Sequence, residues 1–174
     1  MRKKALMALV VLMGLGAPAD AAAPKVRQLV VFRDGSATSE TVSTRATRVR
    51  VEGRRCVAGD GTALAALVRS RPGRISLRDF GACSTRPRDG GGLFVHAIRG
   101  DRNRGQHGWV YKVGRRAATA GAADPGGPFG RGRLRTGQRV TWFYCRLRDG
   151  GCPADARARL ASRARHAGGD RARL

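Results

Sequence analysis

Apolar residues recur along this chain mainly with period two, and the strands that this pattern predicts come in a definite order. Lys25 to Phe32 (KVRQLVVF) reads as a first strand that stops at the turn signal Arg33-Asp34-Gly35. The Ser/Thr-rich stretch from Gly35 to Thr44 has no apolar alternation and is expected to be a loose connection. From Thr47 to Glu52 the alternation T-R-V-R-V-E places Val49 and Val51 on one face and arginines on the other, as in a half-buried strand; Arg55 to Ala58 is its expected hairpin partner. One segment breaks the period. Behind Asp60-Gly61-Thr62, which offers N-cap chemistry, Leu64, Leu67 and Val68 fall at helical spacing, and Pro72-Gly73 closes that helix. Alternation returns over Ile75 to Phe80, Leu93 to Ile98 (LFVHAI), Trp109 to Val113 (WVYKV) and Arg139 to Leu147 (RVTWFYCRL). Between these lie a turn at Pro87 to Gly92, a charged loop from Arg99 to His107 and a Gly/Pro/Ala loop from Ala117 to Gly132. One amphipathic helix among several alternating strands predicts an α+β fold.

Both ends depart from this pattern. Arg2, Lys3 and Lys4 precede an apolar run from Ala5 to Leu15, and Ala19-Asp20-Ala21 fits an A-x-A cleavage site. Residues 1–21 therefore read as a secretory signal peptide; the apolar run falls short of the roughly 20 residues that a membrane helix needs. The expected mature chain has no transmembrane span and is secreted or held extracytoplasmically at the cell surface. Residues 25–153 are expected to form the folded domain. From Ala154 to Leu174 the chain is Ala/Arg-rich, with Leu160 and Leu174 its only large apolar residues, and it predicts a disordered basic tail.

The export signal decides how the four cysteines are read. Cys56, Cys83, Cys145 and Cys152 all fall in the mature chain, where oxidation is permitted. Of the three possible pairings, Cys56–Cys83 with Cys145–Cys152 is favoured, because the second pair closes the end of a strand onto the turn after it. A four-thiolate zinc site would bring its ligands in C-x-x-C pairs, which the chain lacks; no metal and no cofactor are expected.

Charge adds a class of partner. The formal net charge is +23, and loss of the leader removes three cations and one acid, leaving +21. Almost all the cations are arginine; lysine occurs only at positions 3, 4, 25 and 112. Such a chain is drawn to polyanions, with an attraction that fades over about 8 Å in physiological salt. Outside a cell the expected partners are anionic cell-envelope polymers or lipid head groups. Export argues against a specific nucleic-acid partner, although arginines interleave with aromatics from Arg139 to Arg148.

Catalytic constellations are not visible. His96, His107 and His166 accompany no G-x-S-x-G elbow or H-E-x-x-H helix, and His107 with Asp101 and Asn103 reads better as a turn than as an active loop. The chain is not expected to be an enzyme. Trp109, Tyr111, Trp142 and Tyr144 lie at period two on strands expected to be neighbours. They either pack as cross-strand pairs against the helix or line a ligand-binding face, the latter with the Gly121 to Gly132 loop.

Three segments carry a resemblance. Gly108-Trp-Val-Tyr-Lys-Val-Gly114, then Leu134-Arg-Thr-Gly-Gln-Arg-Val-Thr-Trp-Phe-Tyr144, with Gly61-Thr-Ala-Leu-Ala-Ala-Leu67 before them, resemble a family of unknown function related to the C-terminal domain of transcobalamin. The strand from Phe94 to Gly100 fits a further short family segment, so the resemblance covers Val49 to Tyr144. It implies a β-grasp-like fold, a mixed sheet packed on one helix. Transcobalamin-type proteins enclose cobalamin between this domain and a helical barrel. This chain is too short to contain such a barrel, so the cofactor does not carry over. What the resemblance implies is an exported binding or structural module, with binding of a small ligand, cobalamin-like or carbohydrate, as the alternative.

Overall fold

The first and last strands of the domain lie side by side and run parallel. A computed structural model describes residues 22–81, 83, 92–147 and 151–152; the predicted leader, the basic tail and most of the Pro87 to Gly92 turn lie outside them. Strand β1 (Lys25–Val31) pairs in parallel with β10 (Arg139–Cys145), with Arg27 opposite Arg139 and Val31 opposite Phe143. On the other side of β1 runs antiparallel β2 (Ala37–Ser43); on the other side of β10 runs antiparallel β8 (Gly108–Val113), followed by two-residue β9 (Arg116–Ala117). The sheet order is β2-β1-β10-β8-β9. Two smaller sheets flank it: a ribbon of β3 (Thr47–Val51) and β4 (Arg54–Ala58), and a three-stranded sheet of β5 (Ile75–Asp79), β6 (Leu93–Ile98) and β7 (Asp101–Arg102).

Helix α1 (Ala63–Arg69) is the one helix among the described residues, and it starts where the capping chemistry places it. The Thr62 hydroxyl accepts from the Ala65 N–H at 3.2 Å and donates to the Gly59 carbonyl at 2.7 Å. Leu64 and Leu67 are fully buried against Val26, Val30, Val140 and Trp142, which all point to the inner face of the large sheet. The outer face carries a second, smaller cluster of Leu29, Val31, Phe143 and Cys145. Strand β10 is therefore buried on both faces, which is why its sequence is apolar nearly throughout.

The fold is thus mixed α+β, dominated by sheet, with one helix and two disulfides. Among the described residues no helix is long and apolar enough to cross a membrane. The segment expected to be a loose connection, Gly35 to Thr44, is instead largely the edge strand β2. Only Val42 of that strand is buried, so its side chains carry no apolar period; its threonines and serines pair through the backbone with β1 along its whole length. Two-residue strand β7 likewise interrupts the loop expected at Arg99 to His107, whereas β9 takes up only Ala117, the first residue of the loop expected at Ala117 to Gly132.

Both cysteine pairs join as expected, Cys56 to Cys83 and Cys145 to Cys152. The first ties β4 to the chain just after β5. Beside it Asp79, whose side chain is 1% exposed, accepts from Arg54 at 2.8 Å and from the N–H groups of Gly81 and Cys83. Closing the two loops, with sequence separations of 27 and 7, contributes about 3.5 and about 2.5 kcal/mol by loop-closure entropy. Cys56→Ala/Cys83→Ala should therefore lose more stability in urea unfolding than Cys145→Ala/Cys152→Ala. The reverse order would show that the C-terminal clip matters beyond its chain entropy.

Candidate functional site

Sheet pairing leaves one seam unzipped. Strand β6 pairs with β5 on one side and meets β7 only at Ala97 and Ile98 on the other. Strand β8 pairs with β10 along its length and with β9 only at Lys112 and Val113. The stretches left over, Leu93–Val95 and Gly108–Tyr111, face each other without a ladder between them.

One side chain closes part of that gap. The Asn103 carboxamide donates from Nδ2 to the Val95 carbonyl at 2.9 Å and accepts at Oδ1 from the Trp109 N–H at 2.9 Å, while its own backbone N–H donates to the His96 carbonyl. It does between the strands what a peptide group of a missing strand would do. The neighbour that permits this is Gly108, where a Cβ would stand 2.7 Å from Asn103 Cγ.

Two connected depressions flank this clamp. An inner cleft of about 210 Å³ is walled by Leu93 and Val95 of β6, Trp109 and Tyr111 of β8, the small residues Ala118, Ala120, Gly121 and Ala122, and Trp142 of β10. An outer groove of about 420 Å³ opens beside it, bordered by Arg78, Phe80, His96, Gln106 and His107. Phe94, Trp109 and Val110 line both. Among the described residues, no acidic side chain lines either of them.

The four aromatics expected at a ligand face all point to the inner side of the sheet and are buried. They pack as cross-strand pairs: Tyr111 stacks on Trp142 at 5.0 Å between centroids, and Trp109 meets Tyr144 edge-on at 5.8 Å. Three of them are also cleft walls; Tyr144 is not. Their polar ends differ in a telling way. Trp109 Nε1 donates to the Asp101 carbonyl at 2.7 Å, the Tyr144 hydroxyl to the Arg102 carbonyl at 2.7 Å, and the Tyr111 hydroxyl to the Ala120 carbonyl at 2.9 Å. Burial, reinforced by the Asp124 carboxylate, pushes the Tyr111 phenol far above its usual range, so it remains a donor. Trp142 Nε1 alone has no acceptor and is buried.

Of the loop expected to shape a pocket, only its start takes part. Gly121 and Ala122 line the cleft, held there by the Tyr111 hydroxyl and by the Leu64 N–H of the helix, which donates to the Ala122 carbonyl at 2.8 Å. Sequence reasoning missed Asn103, Gly108, Phe80, Phe94 and Val110. For Phe94 and Val110 a signal existed: each occupies the polar phase of its strand, beside His96 and Lys112 respectively.

His96 and His107 border the outer groove, and among the described residues that line it there is no serine, threonine or cysteine. Desolvation, then the charges of Arg78 and Arg102, lower the His96 pKa, so this imidazole is neutral at neutral pH. His107 Nδ1 accepts from the Leu147 N–H at 3.0 Å, which pins the ring to the end of β10. Among the described residues no three His, Cys, Asp or Glu side chains cluster as a metal site would need.

Comparison with known proteins adds little. No family model matches the chain. No curated protein matches it either. Among solved structures it is similar to a crystal structure from Ruminococcus gnavus ATCC 29149 described as a "putative metal binding protein", at 9% identity and a TM-score of 0.43, over 72% of this chain and 99% of the other. That likeness is too distant to carry anything across.

The clamp generates a direct prediction. Asn103→Ala should destabilise the domain by about 1–3 kcal/mol in urea unfolding, because it strands a buried donor and acceptor. Gly108→Ala should act through the same contact, so the double variant should lose clearly less than the sum of the two.

Proposed function

We propose that this chain is an exported, non-enzymatic binding module that takes a small ligand at the seam between β6 and β8, outside the cytoplasm or in the cell envelope. The observation that carries this reading is where exposed apolar surface lies. Phe80, Phe94 and Val110 are the exposed large hydrophobic residues of the described chain, and all three border the outer groove. Phe80 and Phe94 meet edge-on at 5.7 Å, so they form one patch. Apolar groups gathered at a cleft mouth suit a ligand site.

Several features support the rest of the reading. Two disulfides suit an oxidising compartment, in line with the secretory leader read over residues 1–21. A central parallel pair of first and last strands, an antiparallel strand on each side and a helix packed on one face support a β-grasp-like fold, and with it the relation to the C-terminal domain of transcobalamin. A non-enzymatic role suits walls in which Asn103, His107, Trp109 and Tyr111 spend their polar ends on backbone groups.

Tryptophan fluorescence tests this directly, since Trp109 and Trp142 are the only two tryptophans and both wall the cleft. Titration with cobalamin, haem and oligosaccharides should give a saturable change with one of these classes, and Phe94→Ala should weaken it about tenfold. A flat response to all three would count against the site.

A second reading, attraction to anionic envelope polymers or lipid head groups, has its own observation. Alternation along the β3–β4 ribbon turns Val49, Val51 and Cys56 inward and leaves exposed Arg48, Arg50 and Arg55 together on the outer face, with Arg50 directly opposite Arg55. Like charges in register destabilise a hairpin, and an anion laid across them relieves that. By contrast Arg54, on the inner phase, is paired with Asp79. Changing Arg48, Arg50 and Arg55 to Gln should lower the salt needed to elute the protein from immobilised heparin by more than the same change at Arg115, Arg131 and Arg135. Equal shifts would reduce the attraction to net charge alone.

A further inference from the structure

We propose that the outer groove holds a small anionic amphiphile, with its acidic head group taken by Arg78 and its apolar body laid against Phe80, Phe94 and Val110. This rests on the small-ligand reading of the seam and names the chemical class of that ligand.

Strand geometry sets charge beside apolar surface here. Arg78 of β5 stands directly opposite Phe94 of β6, so the two side chains leave the same face of that sheet. Phe80 comes two residues after Arg78, and its N–H donates to the Gly92 carbonyl at 3.0 Å, so the face continues past Phe94 at that end. His96 lines the groove on the other side of Phe94 along β6, and Gln106 and His107 border it from the loop that enters β8. Along the strands the order is therefore Phe80, then Arg78 and Phe94 abreast, then His96.

Charge then selects the head group. Arg33, Arg54 and Arg133 each reach a carboxylate, whereas Arg78 has no such partner among the described residues. Its guanidinium offers a planar fork of donors that matches a carboxylate. The charges of Arg78 and Arg102 both reach His96, so the field at this part of the groove is positive. His107 spends Nδ1 on the Leu147 N–H, which leaves Nε2 as its donor. The apolar body has its own place. Phe94, Trp109 and Val110 are shared with the inner cleft, whose walls carry no charged side chain, so a hydrocarbon end can enter there and an acid cannot do so without losing water unpaired. At about 420 Å³ the groove falls within the range of about 300–1,000 Å³ usual for small-molecule sites. Because the exposed apolar groups border a depression, the groove suits a single molecule better than a flat bilayer.

Three probes separate the parts: octanoate has acid and chain, 1-octanol the chain without the acid, and acetate the acid without the chain. Titrated into the full-length oxidised chain, octanoate is expected to bind about tenfold tighter than either of the others. Arg78→Gln should cost octanoate about tenfold and bring it level with 1-octanol. Arg135→Gln removes an exposed cation that does not line the groove and should leave the preference in place. Bound octanoate should also raise the His96 pKa, because an anion beside the imidazole offsets the charges of Arg78 and Arg102. Proton NMR reads that shift, and His96→Gln assigns the signal among the three histidines. Equal affinity for octanoate and 1-octanol, equal losses from Arg78→Gln and Arg135→Gln, or a His96 pKa unmoved at saturation would overturn the head-group assignment and leave a small-ligand site standing. Binding to phosphatidylglycerol vesicles without binding of octanoate would overturn the proposal in favour of a membrane surface. Binding of no probe and no vesicle would overturn both the proposal and the small-ligand reading of the seam.

Discussion

Everything in this domain hangs on the parallel pairing of β1 with β10. Parallel neighbours cannot be joined by a tight turn, so all the chain between them must cross over and find a place around that pair. The pairing is braced at its start by backbone bonds from Arg27 to the Gln138 carbonyl and from Gly137 to the Lys25 carbonyl, both 2.9 Å. Its inner face receives the helix and its outer face the Cys145–Cys152 clip. Chain-closure entropy grows slowly with loop length, so joining the two ends of the domain is tolerable in stability; the larger consequence is kinetic, since the central pair cannot form before the last strand is available.

The seam follows from that arrangement. With β10 occupied by β1 on one side and β8 on the other, β8 is left with a half-free edge, and β6 arrives there from a different sheet. Two sheets that meet at an edge without sharing a ladder leave backbone polar groups to be satisfied by other means. Asn103 meets part of that need, and the three bonded aromatic side chains tie the surrounding loops to the wall. The cleft is what remains where neither a ladder nor a side chain fills the gap. Peripheral sheets are kept in position by Cys56–Cys83 and the buried Asp79 hub, so the groove mouth at Phe80 and Phe94 rests on an anchored scaffold.

Much of this architecture was legible residue by residue. Strands β6 and β8 could be read almost to the residue, because Leu93, Val95 and Ala97 alternate with Phe94 and His96, and Trp109, Tyr111 and Val113 alternate with Val110 and Lys112. Thr62 announced the helix by its chemistry, and the spacing of the cysteines favoured the pairing that forms. Strand β2 was not legible: an edge strand with one buried residue has no apolar period to display, and its pairing with β1 rests on backbone bonds that any side chain allows. The aromatic quartet was legible as a group, and it packs as the cross-strand pairs that one of its two readings expects. All four rings are core, and three of them are also cleft wall.

By itself, then, the sequence determined the elements, their facing, the cysteine pairs and the strongly basic charge, because side-chain direction along a strand or helix is a local property. Tertiary structure decided which edges meet and which are left open. That Trp142 lacks an acceptor while Trp109 has one depends on where Asp101, more than forty residues before Trp142 in the chain, brings its carbonyl. Period and composition cannot encode that. A hydrogen bond is satisfied or lost within a few tenths of an ångström, and only the assembled sheets fix distances at that scale.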